Sequence, residues 1–504
     1  MGDNGQDFGK VRALLWPIHG FELKKFLPTS LLMAAIIFVY TLVRDLKDTF
    51  IQKYAILGGT ELISALKLWF VLPMAFVVVI VFSTLVSKFG MRKTFYIVCS
   101  FYTIFFAVFA WILFPNADKI HMSKATMEAM RSSWPSFTYY IIPCLGNWAY
   151  TMFFIFAETW GTLAVSSLFW FFANEITKKT EVKRFYALYP LIANIGTIIC
   201  GTLISSMSKV KDRAVFDHNV KILVSIAAVF CIITMFIYNY INTVVLKDPK
   251  LFDPSEVKPK KKKAKVSPLD GLKILATSPY LFLIVFLPLS YGISINLYEG
   301  IFKGHMRAAL PDPSAYTEMA GRLSQVTGIA TITLTFLSVG MLRKFKWRFN
   351  ALVTPVSMLV LGVAFFCLMF YHNGGGKKFM GMDVPMLAVW IGLLGDAVAK
   401  GIKYCLFDTT KSMTFRPLDP YTQAQGQGAV EVIGGRGGKA GGAFITYILL
   451  NVISVGSSIL SHTKTLFILF ILFLLAWIFS IMKLSGMYEQ KVKEAEQAQK
   501  AEQK

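Results

Sequence analysis

The segment KPKKKKAK, residues 258–265, lies near the middle of a 504-residue chain that is otherwise dominated by apolar runs. Its lysines are too polar, and its proline too disruptive of helices, for the segment to enter a lipid bilayer. We therefore predict that residues 247–273 form a solvated linker between an N-terminal half, residues 1–246, and a C-terminal half, residues 274–504.

Apolar runs on both sides of this linker have the length, roughly 20 residues, that crosses a bilayer as a helix. They lie near residues 27–44, 68–87, 94–114, 137–173, 186–207 and 220–243, then near 279–299, 324–342, 350–371, 384–406, 438–459 and 464–483. The chain is 55% hydrophobic with a mean hydropathy of +0.55, which a soluble domain does not reach. The sequence predicts an all-α membrane protein with about twelve transmembrane helices.

The two halves share a short sequence pattern in the same register. Lys, Phe and Arg stand at positions 88, 89 and 92 after the second run, and again at 344, 345 and 348 after the eighth. Two similar six-helix halves joined by a long connection are typical of the major facilitator architecture. We therefore expect a major-facilitator-like fold with the substrate held between the halves.

The formal net charge of +23 has a topological explanation, because the lysines and arginines fall between the apolar runs. Roughly 33 lie on the side of both termini and roughly 15 on the other, which by the positive-inside rule predicts cytoplasmic termini in a bacterial inner membrane. The linker is then expected to bind anionic lipid headgroups rather than nucleic acid. Neither a metal site nor a cofactor is expected, since the six cysteines show no ligand spacing.

Ionised side chains within apolar runs are functional candidates, because each costs about 2.5–3.5 kcal/mol at the bilayer centre. The first run ends in two cations and two anions. Arg44 and Asp48 are four residues apart and are predicted to pair, which leaves Lys47 free to meet an anion in a cavity. The alternative for Lys47 is an interfacial side chain that reaches the headgroups.

Two glutamates lie deep in other runs. Glu158 has apolar residues on either side of the string FAETWG, residues 156–161. In the seventh run Asn296, Glu299 and Lys303 follow one another at helical spacing and form a polar stripe. These carboxylates are predicted to pair with cations when the site is empty, or to carry the charge that couples transport.

The tenth run carries Asp396, Lys400 and Lys403, so its helix is expected to line a cavity. Before the eleventh run, the string GGRGGKAGG, residues 434–442, places Lys439 among glycines. Glycines beside a cation suggest a phosphate cradle, but the spacing is not that of an ATP-hydrolysing P-loop. Close helix packing at GxxxG spacing remains an equal alternative.

Such a set of buried cations suits a substrate with several negative charges, for example a nucleotide polyphosphate. A carrier for another anion, such as a sugar phosphate, would need the same cations. A membrane-embedded enzyme is the alternative from another class, but the chain has no HExxH or GxSxG motif, so we expect no catalytic residues.

Several strings resemble the nucleotide transporters, or ATP/ADP translocases, of plastids and obligate intracellular bacteria. They are RDLKDT at 44–49, ANEITK at 173–178, KRFY at 183–186 and KYCLFD at 403–408, with WPIH at 16–19 and ELKK at 22–25. The resemblance covers nearly the whole chain. It implies a secondary transporter of ATP, ADP or other nucleotides, working by exchange or by symport with protons.

In that family four charged residues are regarded as central, and they match Lys47, Glu158, Glu299 and Lys439. With the residues above, this gives Lys47, Lys439, Arg44, Lys303 and Lys403 as candidate phosphate ligands, and Glu158, Glu299, Asp48 and Asp396 as candidate coupling carboxylates.

The chain departs from the family's usual ATP/ADP pattern at several positions. It reads KSMTFRPL at 411–418 where KEMAYIPL is typical, QGQG at 425–428 where a Lys-Gly-Lys stretch is common, and Ala440 where a serine usually follows the lysine. These departures favour a broader or non-ATP nucleotide substrate over strict ATP/ADP exchange.

Overall fold

The computed structural model describes residues 12, 16–178, 180–252, 278–419, 422–423, 426–427 and 430–502. The KPKKKKAK string and most of the predicted linker lie outside the described residues.

Helices build the N-terminal half. Its α-helices are α1 (Leu23–Thr49), α2 (Thr60–Ala65), α3 (Leu72–Val108), α4 (Ala117–Ile120), α5 (Lys124–Ser133), α6 (Ile141–Gly146), α7 (Trp148–Trp160), α8 (Trp170–Ile176), α9 (Val182–Ser208) and α10 (Arg213–Thr243). Short π-helical segments, Phe50–Tyr54, Leu66–Val71, Phe109–Leu113 and Gly161–Phe169, continue or join several of them. Short 3₁₀ turns are Gly20–Glu22, Phe114–Asn116, Ser136–Thr138 and Val245–Lys247.

The C-terminal half has the same character. Its α-helices are α11 (Pro279–Ala309), α12 (Pro313–Lys344), α13 (Trp347–Asn373), α14 (Val384–Ile402), α15 (Asp408–Met413), α16 (Gly437–Ile448) and α17 (Thr463–Glu502). The π-helical segments are Lys403–Phe407, Val430–Arg436 and Leu449–Ile453, with a 3₁₀ turn at Ile459–His462. A two-residue antiparallel hairpin, β1 (Lys378–Phe379) with β2 (Met382–Asp383), precedes α14.

Local sequence fixes where many of these helices begin. The Asp212 side chain accepts a hydrogen bond from the Val215 amide at the start of α10, and Asp312 accepts from the Ser314 amide at the start of α12. Such caps satisfy amides that have no partner within the helix. These two long helices therefore start directly after a capping aspartate.

Ten helices in the described part of the chain are long and apolar enough to cross a membrane. One of them, Thr60–Ile120, covers the second and third predicted runs. The eleventh run is helical as well, but its helix occupies 430–453 rather than 438–459. The expectation of about twelve crossings in an all-α membrane protein is confirmed. The seventh run is longer than predicted, because α11 continues to Ala309 and so includes Lys303.

The second and third crossings are separated by a single glycine. Gly90 has φ 73° and ψ 166°, in a region where side chains with a Cβ are strained, and the helix is kinked there. The equivalent turn in the other half follows Lys344, between α12 and α13. The repeated Lys-Phe pattern therefore lies at the same turn of both halves.

We call the end of the bundle where α1 begins the terminal face, and the opposite end, with residues 55–59 and 310–312, the distal face. At the distal face, Lys53 donates to the carbonyls of Arg307 and Leu310, at 2.9 and 2.5 Å. Arg307 donates back to the carbonyls of Gln52 and Gly58, at 3.0 and 2.8 Å. The ends of α1 and α11 are thus capped by a cation from the opposite half, and cations are favoured at helix C-termini.

Further contacts close the distal face. Glu61 accepts from the Ser458 hydroxyl at 3.1 Å and from the Ile459 amide at 3.0 Å. The Tyr140 amide donates to Asn451 at 3.3 Å, and the Tyr447 hydroxyl donates to the Phe137 carbonyl. All of these bonds join the N-terminal half to the C-terminal half.

Along one side of the bundle, α9 packs directly on α12. A Cβ added at Gly201 would lie 2.6 Å from the Gly321 carbonyl oxygen, and one at Gly328 would lie 3.1 Å from the Asn194 carbonyl oxygen. Glycines therefore allow the two backbones to touch, as small residues do between membrane helices.

Candidate functional site

Alternating charges run through the middle of the protein from one half to the other. Lys47 Nζ lies 3.1 Å from Glu158 Oε1 and 2.9 Å from Asp48 Oδ1. The other Asp48 oxygen accepts a hydrogen bond from Lys303 Nζ at 2.9 Å. This last contact joins α1 to α11.

The series continues within the C-terminal half. Lys303 Nζ is also 3.5 Å from Glu299, whose second carboxylate oxygen lies 2.8 Å from Lys400 Nζ. Lys400 in turn lies 2.8 Å from Asp396. We call this series the ion-pair chain: Glu158, Lys47, Asp48, Lys303, Glu299, Lys400 and Asp396.

Helix geometry explains how these side chains meet. Glu299 and Lys303 are one turn apart on α11, and Asp396 and Lys400 are one turn apart on α14, so each pair lies on one helix face. Burial makes the pairing obligatory, because an unpaired buried charge is costly. The Lys47 side chain is only 4% exposed.

The predicted pairing of Arg44 with Asp48 is wrong. Arg44 Nε lies 3.1 Å from Asp45 Oδ1, and its Nη2 donates to the Ser324 hydroxyl at 2.7 Å. Asp48 is held by Lys303 of the other half instead. The expectation that Lys47 is left free is also wrong in this conformation, since Lys47 has two carboxylate partners.

Two other predicted cations lie outside the ion-pair chain. Lys403 pairs with Asp408 at 3.1 Å, toward the end of its helix. Lys439 is exposed, forms no ion pair with a described residue, and interacts electrostatically with Glu158. Lys439 thus adds positive charge near Glu158 without an ion pair to a described residue, and Lys303 and Lys400 neutralise Glu299.

The glycine string around Lys439 is helical rather than a loop. A Cβ at Gly434 would lie 2.4 Å from Pro288, one at Gly438 would lie 2.8 Å from the Leu289 carbonyl oxygen, and one at Gly442 would lie 2.7 Å from Asn296. The glycines thus let the Val430–Ile448 region pack closely on α11. Close helix packing is therefore shown, and contact of Lys439 with an anion stays a prediction.

A cavity of about 380 Å³, counting the space open to solvent, lies between the halves beside the ion-pair chain. Its lining residues come from both halves: Thr60, Ile63, Ser64, Lys67, Asn296, Glu299, Gly300, Lys303, Gly442, Ala443, Thr446 and Ile459.

Lys67 is a charged residue of the cavity wall that was not among the candidates predicted from the sequence. Its Nζ lies 2.5 Å from Asn296 Oδ1, so this bond also crosses between the halves. The signal was present, because Lys67 is a lone lysine between Leu62 and Val86 in a long apolar run. The second predicted apolar run begins at residue 68, so Lys67 falls just outside it and resembles a charge that flanks the membrane.

Solved structures with the same fold include the nucleoside transporter NupG, at 14% identity with a TM-score of 0.53 over 90% of this chain and 98% of that one. A D-xylose-proton symporter matches at 13% identity with a TM-score of 0.53 over 91% and 97% of the two chains. A bacterial homologue of the iron transporter ferroportin, in an inward-facing state, matches at 10% identity with a TM-score of 0.54 over 93% and 100%. The expected major-facilitator-like fold is confirmed.

Sequence relatives are more informative about the family. The ADP,ATP carrier protein 1 of Rickettsia bellii is 39% identical over 86% of this chain and 88% of its own length. Its counterparts in Rickettsia prowazekii and Chlamydia trachomatis are 37% and 36% identical, covering 95% of this chain and 96% and 92% of their own lengths. The family model for the TLC ATP/ADP transporters matches residues 1–488. The chain is therefore a multi-pass membrane protein that belongs to the TLC ATP/ADP transporter family of nucleotide carriers.

Proposed function

We propose that this protein carries nucleoside polyphosphates across a bacterial inner membrane by alternating access, with the phosphates bound beside the ion-pair chain. The observation that supports this most strongly is the contact of Lys47 and Lys303 with Asp48, since it links the halves through groups that an anion competes for. Lys47, Lys303, Lys439 and, further out, Arg44 and Lys403 are the proposed phosphate ligands.

Binding is proposed to act by exchanging partners. A polyphosphate that reaches Lys47 and Lys303 competes with Asp48, Glu158 and Glu299 for the same ammonium groups. The ligand then stabilises whichever arrangement of the halves leaves those cations available, and this shifts the conformational equilibrium. In the conformation described here the distal face is closed, so the nucleotide is proposed to enter from the terminal face.

The accepted nucleotides are proposed to extend beyond ATP and ADP. The departures at Ser412 and Arg416, which are both exposed, support a broader range. The second candidate is strict ATP/ADP exchange, which the names of the relatives from Rickettsia and Chlamydia favour.

Either exchange or symport with protons is compatible with the carboxylates, of which Glu158, Glu299, Asp48 and Asp396 are the proposed coupling groups. We propose that the protein performs no covalent chemistry, that both termini are cytoplasmic, and that the basic linker binds anionic headgroups rather than nucleic acid.

Uptake of a panel of labelled nucleotides by intact cells that express the protein tests the proposal. We expect several ribonucleoside di- and triphosphates to enter, and sugar phosphates to be excluded. Entry of ATP and ADP alone would favour the second candidate, and entry of sugar phosphates alone would refute nucleotide transport. Preloading with ADP should accelerate uptake if the mechanism is exchange, whereas an uncoupler should abolish uptake if it is symport.

A further inference from the structure

Lys67 lines the cavity between the two halves. It lies in the π-helical segment Leu66–Val71, directly after α2, and faces the cavity together with Asn296, Glu299 and Lys303. Single π-helical turns frequently occur at functional sites. Lys67 thus contributes a cation from the N-terminal half to a wall that otherwise belongs largely to the C-terminal half.

The partner of Lys67 distinguishes it from the lysines of the ion-pair chain. Lys47, Lys303 and Lys400 each contact two carboxylates. Lys67 forms no ion pair with any residue in the described part of the chain, and its recorded partner is the neutral amide oxygen of Asn296. An anion that binds Lys67 therefore displaces an amide, whereas an anion that binds Lys47 must separate an existing ion pair.

The net charge of the site also indicates a role for Lys67. The ion-pair chain holds four carboxylates and three ammonium groups, so its own formal charge is −1. A polyanion gains no attraction from that chain as a whole. Lys67 and Lys439, which both interact with Glu158, make the sum of these groups positive.

We propose that Lys67 is a phosphate ligand that sets the preference for nucleotides with more phosphates, and that Asn296 holds its ammonium group in place while the site is empty. This rests on the proposed function, since it assigns a role within that site. The electrostatic attraction grows with the charge of the ligand, so Lys67 contributes more to binding a triphosphate than a monophosphate.

The test is the affinity of the purified full-length protein for ATP, ADP and AMP in wild type and in Lys67→Gln. A hydrogen bond to a charged group corresponds to about a tenfold to hundredfold loss of affinity, which we expect for ATP, with a much smaller loss for AMP. Lys67→Arg should keep the preference. Lys124→Gln, an exposed lysine of α5, is the matched control and should change nothing.

A second variant separates binding from a purely structural role. Asn296→Asp keeps the contact with Lys67 but gives the lysine a carboxylate partner, so the preference for ATP should fall as in Lys67→Gln. Thr446→Asp is the control, because it adds the same charge to the cavity wall at a residue that does not hydrogen-bond to Lys67. If Lys67 is a ligand, the preference for ATP should fall further in Asn296→Asp than in Thr446→Asp, whereas a purely structural Lys67 would give equal falls. This pair of variants also serves if Lys67→Gln fails to fold.

The outcomes separate the inference from the proposed function. If wild type binds none of the nucleotides, the proposed function fails and the inference with it. If wild type prefers ATP and the preference is unchanged in Lys67→Gln, the role of Lys67 is refuted and nucleotide transport stands. Where Lys67→Gln does not fold, equal falls in Asn296→Asp and Thr446→Asp refute that role.

Discussion

At the scale of single residues, the two glutamates of the ion-pair chain stand in different surroundings. Glu158 lies at one end of the chain, has Lys47 as its ion-pair partner, and has a side chain that is 28% exposed. Glu299 lies between Lys303 and Lys400, and its side chain is 15% exposed. Loss of a carboxylate therefore leaves one lysine with fewer partners in the first case and two in the second.

If transport is symport with protons, we predict that at least one of Glu158→Gln and Glu299→Gln loses the dependence of uptake on the proton gradient. Glutamine keeps the size of the side chain but cannot take up the coupling charge. Nucleotide exchange is expected to persist at a reduced rate, and more strongly reduced in Glu299→Gln. The measurement is uptake with and without an uncoupler.

Glu128→Gln is the matched control, since Glu128 is an exposed residue of α5 that pairs with Lys124 at 3.7 Å. Gradient-dependent uptake that is unchanged in both glutamate variants would rule out the coupling role and direct attention to Asp48 and Asp396.

At the scale of elements, the contact of α9 with α12 depends on glycines. A Cβ at Gly321 would lie 2.7 Å from the Ser205 amide nitrogen and 2.8 Å from the Gly201 carbonyl oxygen. These are backbone atoms, so a side chain cannot be accommodated by a change of rotamer. The backbones of α9 and α12, one helix from each half, are therefore in direct contact at Gly321.

We predict that Gly321→Ala destabilises the protein by about 1–3 kcal/mol, the usual cost of overpacking. Thermal unfolding in detergent should show a lower midpoint, and transport should fall because the halves no longer meet in register. Gly340→Ala on the same helix is the control: a Cβ there meets no atom within 4 Å, so the midpoint should not fall. Equal unfolding midpoints for Gly321→Ala and wild type would contradict the proposed role of Gly321 in the contact between α9 and α12.

At the scale of the whole molecule, the distal face is held shut by cations that cap helix ends of the opposite half. Lys53 caps the end of α11, and Arg307 caps the end of α1. These bonds run to neutral carbonyl groups, so a modest free energy can break them. The proposed alternating access requires these bonds to break and form again.

We predict that Arg307→Gln opens the distal face more often. The readout is labelling of a Thr446→Cys reporter in the cavity by a membrane-impermeant thiol reagent added from the distal side. The background should carry Cys367→Ser, since Cys367 is the exposed cysteine. Cys144 will not interfere, because it is buried and burial raises the pKa of its thiol.

Arg131→Gln is the control for this experiment. Arg131 also donates to a carbonyl near the distal face, that of Tyr139 at 2.9 Å, but both residues belong to the N-terminal half. Labelling should therefore rise in Arg307→Gln and stay at the wild-type rate in Arg131→Gln. Equal labelling in all three proteins would show that the reciprocal caps do not hold the gate.

Local sequence was sufficient to predict the helical membrane fold and most of the charged residues at the site. These depend on properties that the local sequence carries: run length, hydropathy and the cost of a charge in lipid. The pairs Glu299–Lys303 and Asp396–Lys400 could be predicted in the same way, because each lies on one turn of one helix. The shared strings also identified the family.

The ion pairs between different helices could be identified from the tertiary structure alone. Helical spacing favoured Arg44 as the partner of Asp48, but Lys303, 255 residues away, takes that place. The choice depends on how α1, α7, α11 and α14 pack together, and packing brings in residues that no local pattern connects. The role of Lys67 could not be predicted for the same reason. A lysine near the start of an apolar run faces either the headgroups or a cavity, and the helices packed around it determine which.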